Sequence, residues 1–362
     1  MPIMRRMRCY QINEFGQAVL PAEVELPPLT GTAVRLRIIG AGVCHTDVHL
    51  CEGHYDLGAG RQFSFKQRIR FPRVLGHEVS GEVVECGPEA KGITIGDRCL
   101  VFSWIGCREC DRCATGFENL CRKPRFVGVN RDGGFAEYID VPHPRYLVEL
   151  GDLDPIAAAP MACSGLTTYS ALKKFGPLVE RPPIVIIGAG GLGLIAIGIA
   201  RQLGASGVVV VERDAAKRDA ALVAGASAAI EPGPYAANAI RAAVPEGVWA
   251  ILDVVGSSAT MELAVEALDR TGTLVIAGLY GGAATVAVPL IPLNVLTIMG
   301  SYVGSLAELR ELIALAKQHG LPVTPLDIRP LSQAPAALDD LKHGLVVGRV
   351  VLRPCEDAVS TG

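Results

Sequence analysis

The stretch IVIIGAGGLGLIAIGIA, residues 184–200, limits the possible folds more than any other part of this chain. Ile184, Val185, Ile186 and Ile187 form a short apolar run of the kind that makes a buried strand, and the glycines that follow cannot continue it. Apolar residues then resume at helical spacing, so the segment reads as strand, tight turn and helix. Five glycines between Gly188 and Gly198 also break up what would otherwise be the greasiest run in the chain, which argues against a membrane span. The turn has the pattern Gly188-x-Gly190-x-x-Gly193, and Glu212 ends the next apolar run, VVVVE, 19 positions after Gly193. A G-x-G-x-x-G turn alone is a weak signal. Between a strand and a helix, with an acid closing the next strand, it is a dinucleotide fingerprint: the helix N-terminus takes the pyrophosphate and the acid takes the ribose hydroxyls.

The same rhythm continues downstream. AAKRDAALVAGA reads as a helix, AILDVVG as a strand, MELAVEALDR as a helix and GTLVIAG as a strand. Alternation of this kind predicts βαβ units and a doubly wound parallel sheet. Residues 1 to about 160 differ: AVRLRIIGAGV, HEVSGEVVECG, DRCLVFSW and GGFAEYIDVP are short strands separated by Gly and Pro, which predicts an irregular, mostly antiparallel β unit. The tail carries a helix in SLAELRELIALAKQHG and a strand in GRVVLRP. A chain of 362 residues is long enough for two cores, since single cores stop growing near ~250–300 residues.

With 50% apolar and 20% charged residues the chain is an ordinary packed protein, and a net charge of −3 favours neither nucleic acid nor an anionic membrane. The basic start MPIMRRMRCYQI has no apolar run behind it, so a cytoplasmic protein is expected. In that compartment eleven cysteines suggest metal or catalysis more than disulfides.

Four of them crowd into GCRECDRCATGFENLC as Cys107, Cys110, Cys113 and Cys121. C-x2-C-x2-C-x7-C lets four thiolates converge on one ion, and a closed tetrahedral zinc site of this type is structural. Unrelated buried cysteines and an iron–sulfur cluster are the rivals, and the spacing favours zinc. Elsewhere stand GVCHTDVH (Cys44, His45, Thr46, Asp47, His49), LGHEVSG (His77, Glu78) and MACSGLTTY (Cys163). Individually each is more often an ordinary core or surface residue than a ligand. Together they offer two thiolates and an imidazole, a set that leaves one zinc position open to an alcohol or carbonyl oxygen.

These segments, with GGFAEY and GRVVL, follow the order found in the zinc-dependent medium-chain alcohol dehydrogenases, and the chain resembles that family along nearly its whole length. The resemblance implies a GroES-like, mostly β catalytic domain (1–164 and 303–362) around an inserted Rossmann domain (165–302). It implies that Cys44, His77 and Cys163 hold a catalytic zinc, with Glu78 approaching the metal and Asp47 supporting His77. Thr46 looks like the hydroxyl that receives the substrate proton and His49 like its outlet to solvent. Thr167 resembles a nicotinamide contact, Lys217 a ribose contact and Arg349 a pyrophosphate contact, beside a turn formed by Gly188, Gly190, Gly191, Leu192 and Gly193. The implied cofactors are two zinc ions per chain and NAD, the implied partner a small alcohol or carbonyl compound, and the implied assembly a homodimer or homotetramer. Cys51, Tyr55 and Trp104 are the expected substrate-pocket residues, suited to a hydrophobic or aromatic alcohol. The alternatives are a zinc-free quinone or enoyl reductase of the same superfamily and a non-catalytic zinc-stabilised binding protein.

Two features depart from the family pattern. Glu212 stands where the family usually has Asp, and Arg213 beside it could pair with the phosphate of NADP; the acid is weighted more heavily, and NAD is expected. His49 and His77 are also separated by extra length, LGAGRQFSFKQRIR at 57–70, carrying Phe63, Phe65, Arg61, Lys66, Arg68 and Arg70. A solvated surface loop is the expectation there, with a lid or subunit contact at the substrate entrance as the other reading.

Overall fold

In the computed structural model, which describes residues 5–181 and 183–354, the strand Ile184–Ile187 lies near the middle of a six-stranded parallel sheet. Its side chains alternate between two cores. Ile184 and Ile186 join an apolar cluster with Leu194 and Leu166, whereas Val185 and Ile187 pack with Ile240, Ala264 and Leu268. A sheet buried on both faces explains why its strands read as unbroken apolar runs. Across the sheet the strands are Ala228–Ile230, Val208–Val211, Ile184–Ile187, Ala250–Asp253, Thr273–Ile276 and Thr297–Gly300. Helices Gly191–Gln202, Ala215–Val223, Ala236–Ala243 and Ser258–Ala267 connect them. The first and last of those strands have only half-buried or exposed side chains, which is why sequence patterning does not reveal them.

Around this unit the chain forms a second, seven-stranded sheet built from both of its ends. Val34–Gly42 pairs antiparallel with Glu78–Cys86 on one side and with Arg349–Arg353 on the other. The latter strand lies next to Leu326–Pro330, also absent from the sequence reading, in a parallel pair. The chain thus leaves the β unit at the helix Ser164–Lys173, builds the parallel sheet and returns. One apolar cluster runs from Leu36, Ile38 and Leu100 through Leu166 to Ile184, so the two units share a core on that side.

The 57–70 segment is more than a solvated loop. His54–Asp56 and Gln62–Ser64 form a small hairpin, with Tyr55 opposite Phe63. Phe65 and Ile69 are buried behind it. The hairpin also reaches the parallel-sheet unit, where the Gly282 amide donates to the Asp56 carbonyl at 3.3 Å. A Cβ at Gly58 would stand 2.5 Å from the Ala283 nitrogen, so glycine permits the close approach.

Candidate active site

Cys44 lies just before the helix His45–Glu52, at the end of the long strand Val34–Gly42, and the Val43 amide donates to the Val350 carbonyl of the returning strand at 3.0 Å. Inside the first turn of that helix Asp47 is fully buried. One carboxylate oxygen accepts from the Cys44 amide at 3.0 Å, and the other accepts from the Gly76 amide at 3.1 Å and faces His77 Nδ1 at 3.3 Å. A carboxylate there keeps the proton on Nδ1 and leaves the lone pair on Nε2. His77 Nε2 is buried and has no hydrogen-bond partner. Cys163 opens the helix Ser164–Lys173 from the other side. Donor atoms of Cys44, His77, Glu78 and Cys163 all lie within 4.8 Å of one another, and all four residues are buried. The hydrogen bond between the two thiols holds Cys44 well below the ordinary thiol range and pushes Cys163 well above it.

Glu78 stands beside this cluster. Its carboxylate accepts from the Ser164 hydroxyl at 2.8 Å and forms an ion pair with Arg349 Nη2, which also donates to the Val43 carbonyl at 2.9 Å. Burial lifts the Glu78 carboxyl to about 7 although the guanidinium pulls it down. Arg349 is 4% exposed, and its side chain fills the space that a Cβ on Gly191 would occupy. The same arginine therefore touches the glycine turn at one point and the metal-type cluster at another.

Around the turn itself, the Gly193 Cα lies so close to the Gly188 carbonyl that any side chain would collide with it. Gly188 has φ +102°, a conformation that favours glycine. At Gly190, by contrast, a Cβ would meet nothing within 4 Å and would project into open space at the N-terminus of the helix Gly191–Gln202. Open space at a helix N-terminus beside free amides suits a bound pyrophosphate. Glu212 lies under this turn: its carboxylate accepts from the Ala189 amide at 2.8 Å and from the Asp214 amide at 3.0 Å. Arg213 is exposed. Lys217 donates from Nζ to the Gly344 carbonyl at 3.0 Å, so it also ties the two units together. Leu192 is half-buried, and Thr167 is buried with its amide on the Cys163 carbonyl at 2.7 Å.

A cavity of about 950 Å³ lies between the units, lined from one side by Thr46, Tyr55, Trp104 and Tyr302 and from the other by Asp253, Met261 and Ile276. Trp104 connects it to the cluster, with its ring edge-on to His77 at 5.5 Å. Thr46 is half-buried at the cavity wall. His49 follows on the same helix, its ring against Tyr55 at 4.9 Å and its Nδ1 3.5 Å from the Glu52 carboxylate. Burial lowers its basicity.

The second cysteine group is separate from this. Cys107, Cys110, Cys113 and Cys121 bring their sulfurs within 4.8 Å of one another on a lobe made of two short helical turns, Asp111–Ala114 and Glu118–Leu120. The thiols differ: the Arg122 amide holds Cys110 down to about 6, and burial pushes Cys113 up to about 12. No cysteine forms a disulfide among the described residues.

Residues 31–152 match the family model described as alcohol dehydrogenase GroES-like domain, and residues 191–318 match that described as zinc-binding dehydrogenase. An NAD-dependent alcohol dehydrogenase from Sulfurisphaera tokodaii is 34% identical over 358 residues, which span 96% of this chain and 100% of the relative. The chain belongs to the zinc-dependent medium-chain alcohol dehydrogenases. An alcohol dehydrogenase from Geobacillus stearothermophilus is likewise 34% identical, over 97% of this chain and 100% of its own length. The solved structure of the alcohol dehydrogenase from Aeropyrum pernix superposes with a TM-score of 0.86 at 30% identity, covering 96% of this chain and all of the other.

Within this family member the donor sets fit zinc on the structure's own terms. Two thiols and an imidazole nitrogen without a partner converge in one place, and four thiols converge in another. One buried residue of the dehydrogenase escapes the sequence reading, and one expected pocket residue departs from it. Glu118, 3% exposed, anchors the cysteine lobe by accepting from the Gly106 amide at 2.9 Å and the Tyr146 hydroxyl at 2.8 Å while Arg145 stands 3.1 Å away. Its sequence setting is a charged loop, and nothing local announces that burial. Tyr55 and Trp104 line the cavity as expected, but Cys51 does not; it is packed beside the core, where burial pushes its thiol up to about 12. The aromatic insert joins the lining through Phe63, Phe65 and Arg68.

Proposed function

We propose that the protein is an alcohol dehydrogenase that reversibly oxidises a primary or secondary alcohol, hydrophobic or aromatic in its body, to the aldehyde or ketone, with hydride transfer to NAD. The observation that carries this reading is the partnerless His77 Nε2, converging with Cys44 and Cys163 beside a cavity whose wall includes Thr46. Zinc held by Cys44, His77 and Cys163 would acidify a substrate hydroxyl near neutral pH, and NAD would take up the hydride. The chain's own residues do the remaining work. Trp104, Tyr55 and Tyr302 orient an apolar substrate body and exclude water from it. The Thr46 hydroxyl receives the substrate proton, and neutral His49, further along the same helix, takes it towards solvent. Asp47 holds the His77 ring in register.

In this reading residues 1–164 and 303–362 make the catalytic unit and 165–302 the coenzyme unit, a division supported by the pairing of Arg349–Arg353 with Val34–Gly42. Residues 355–362 lie outside the described ones. The cysteine lobe holds the second, structural zinc. A homo-oligomer is supported by the open edge strand Thr297–Gly300, flanked by exposed Val288, Leu293 and Val295. No helix among the described residues is long and apolar enough to cross a membrane.

The deciding experiment follows NAD reduction over a panel of primary, secondary, cyclic and aromatic alcohols, with zinc measured on the same preparation. About two zinc per chain and turnover of an apolar alcohol support the proposal. One zinc or none with turnover of a quinone or enoyl compound instead points to the zinc-free reductases.

A further inference from the structure

The lining of the cavity is aromatic on the catalytic side, from Tyr55, Phe63, Phe65, Trp104 and Phe126, with Tyr302 beside them at the unit boundary, yet charged side chains also reach it. Four do so: Asp56, Arg68, Arg122 and Asp253. Asp253 is occupied by the amides of Val255 and Gly256, each at 2.9 Å, and by the Thr260 hydroxyl at 2.8 Å. Arg122 is paired with Asp111 at 3.1 Å, and Asp56 accepts from the Gly58 amide at 2.8 Å on the face of the hairpin that meets the coenzyme unit. Arg68 differs: it is exposed, its guanidinium forms neither an ion pair nor a hydrogen bond among the described residues, and the guanidinium carbon stands 4.6 Å from the centre of the Phe63 ring. Its backbone is fixed, with the amide on the Phe65 carbonyl at 2.8 Å and the carbonyl accepting from Asn130 at 3.1 Å.

A guanidinium over a ring face keeps its planar fork available, and that fork matches a carboxylate or phosphate edge-on. In a mostly apolar cavity, a cation whose donors are all unused sets both which ligands enter and which way round they lie.

We infer that Arg68 is a specificity-determining residue and that the favoured substrates are alcohols with an apolar or aromatic body and an anionic group, carboxylate or phosphate, remote from the hydroxyl carbon. This rests on the dehydrogenase reading above and deepens it. The hydroxyl lies at the Thr46 end, the rings hold the body, and Arg68 receives the anion at the insert.

The test compares kcat/KM with NAD for 4-(hydroxymethyl)benzoate, 4-(hydroxymethyl)phenyl phosphate and the neutral 4-(hydroxymethyl)benzamide, on wild type, Arg68→Gln and Arg68→Lys. Wild type is expected to favour at least one anion over the amide by about ten-fold, because a charge-assisted pair at a half-open site is worth roughly that factor. The ratio falls towards one in Arg68→Gln and is partly kept in Arg68→Lys, and the two anionic arms decide between carboxylate and phosphate. A wild-type ratio at or below one for both anions overturns the inference, as does a preference that survives Arg68→Gln. Turnover of the amide reports on the dehydrogenase reading separately; if none of the three alcohols is oxidised, that reading fails and this inference fails with it.

Discussion

His77 and Asp47 are joined through Nδ1 at 3.3 Å in a place where neither side chain meets solvent, and the opposite nitrogen of the ring is left without a partner. Asp47 is also the acceptor for the Cys44 amide, so one carboxylate sets the position of two metal-type ligands at once. Asp47→Asn keeps the shape but brings an amide donor close to the backbone amides and the His77 ring. Zinc affinity at this site is expected to fall about 10–100-fold, and kcat/KM with it, while the fold survives. Zinc titration against a chelator, with circular dichroism as control, measures this; unchanged affinity would remove Asp47 from the support of the ligand.

The cysteine lobe should govern stability and not turnover. Cys110→Ser is expected to lose the zinc of the lobe and lower Tm, because metal binding there is folding free energy. Glu118→Gln should act in the same direction with the zinc retained, costing about 1–3 kcal/mol as an amide faces Arg145. Thermal unfolding with metal analysis separates the two. A Cys110→Ser variant that unfolds normally and loses only catalysis would refute the division of labour.

His49 is expected to provide the pH dependence. Burial depresses its pKa below the ordinary histidine value, so the ring is neutral at neutral pH and able to accept a proton. Alcohol oxidation should fall as pH drops through that depressed value and the acceptor is lost. The sign for stability is the same: the unfolded chain takes up this proton first, so the contribution of neutral His49 is present above the unfolded value and lost as pH falls through the folded one. In His49→Gln oxidation slows above that depressed value, where the wild-type ring is neutral, most of all at its lower end where solvent base is scarce, and the acid limb due to His49 disappears from the kcat profile. Superimposable pH profiles would exclude it from the relay.

Two glycines only three positions apart should behave differently. Gly193→Ala drives a methyl group into the Gly188 carbonyl and is expected to unfold the turn. Gly190→Ala meets nothing in the protein and should leave Tm unchanged while raising KM for NAD, since the methyl occupies the space offered to the pyrophosphate. Equal KM values for wild type and Gly190→Ala would place the coenzyme elsewhere.

Glu212 is expected to decide between coenzymes. Its carboxylate is already held by the Ala189 and Asp214 amides, so it cannot swing away from a 2′-phosphate as exposed Arg213 can. The repulsion is worth ~1–3 kcal/mol, which favours NAD. Measured as the ratio of kcat/KM for NAD and NADP, the preference should shrink in Glu212→Ala; an NADP-preferring wild type would reverse the assignment.

What the chain reveals beforehand depends on whether the information is local. The strand, turn and helix at 184–200 are legible because each residue's preference agrees with its neighbours', and the cysteine spacing because two-residue gaps bring neighbouring thiols together. Glu118 is not legible, for its partners Gly106, Arg145 and Tyr146 are supplied by tertiary folding. The Arg349–Glu78 pair joins residues 271 positions apart, and Lys217 meets Gly344 across 127. The insert misleads for the opposite reason: its four basic residues suggest solvent, while Phe65 and Ile69 between them are buried.

The strand Arg349–Arg353 pairs beside Gly42, and the Val43 amide next to Cys44 is tied to Val350. A nascent chain therefore carries Cys44, His77 and Cys163 long before the strand that braces them has been synthesised. During translation the parallel-sheet unit, whose strands all lie within one continuous stretch, is free to fold first, while the zinc-binding half waits for the strand Arg349–Arg353. Pairing at so great a separation makes that half the slow-folding part, and thiols near an unfilled zinc position stay open to oxidation meanwhile. Zinc available once that strand has joined the sheet, more than zinc available while the earlier residues are being made, is then expected to decide how much of the protein reaches its working form.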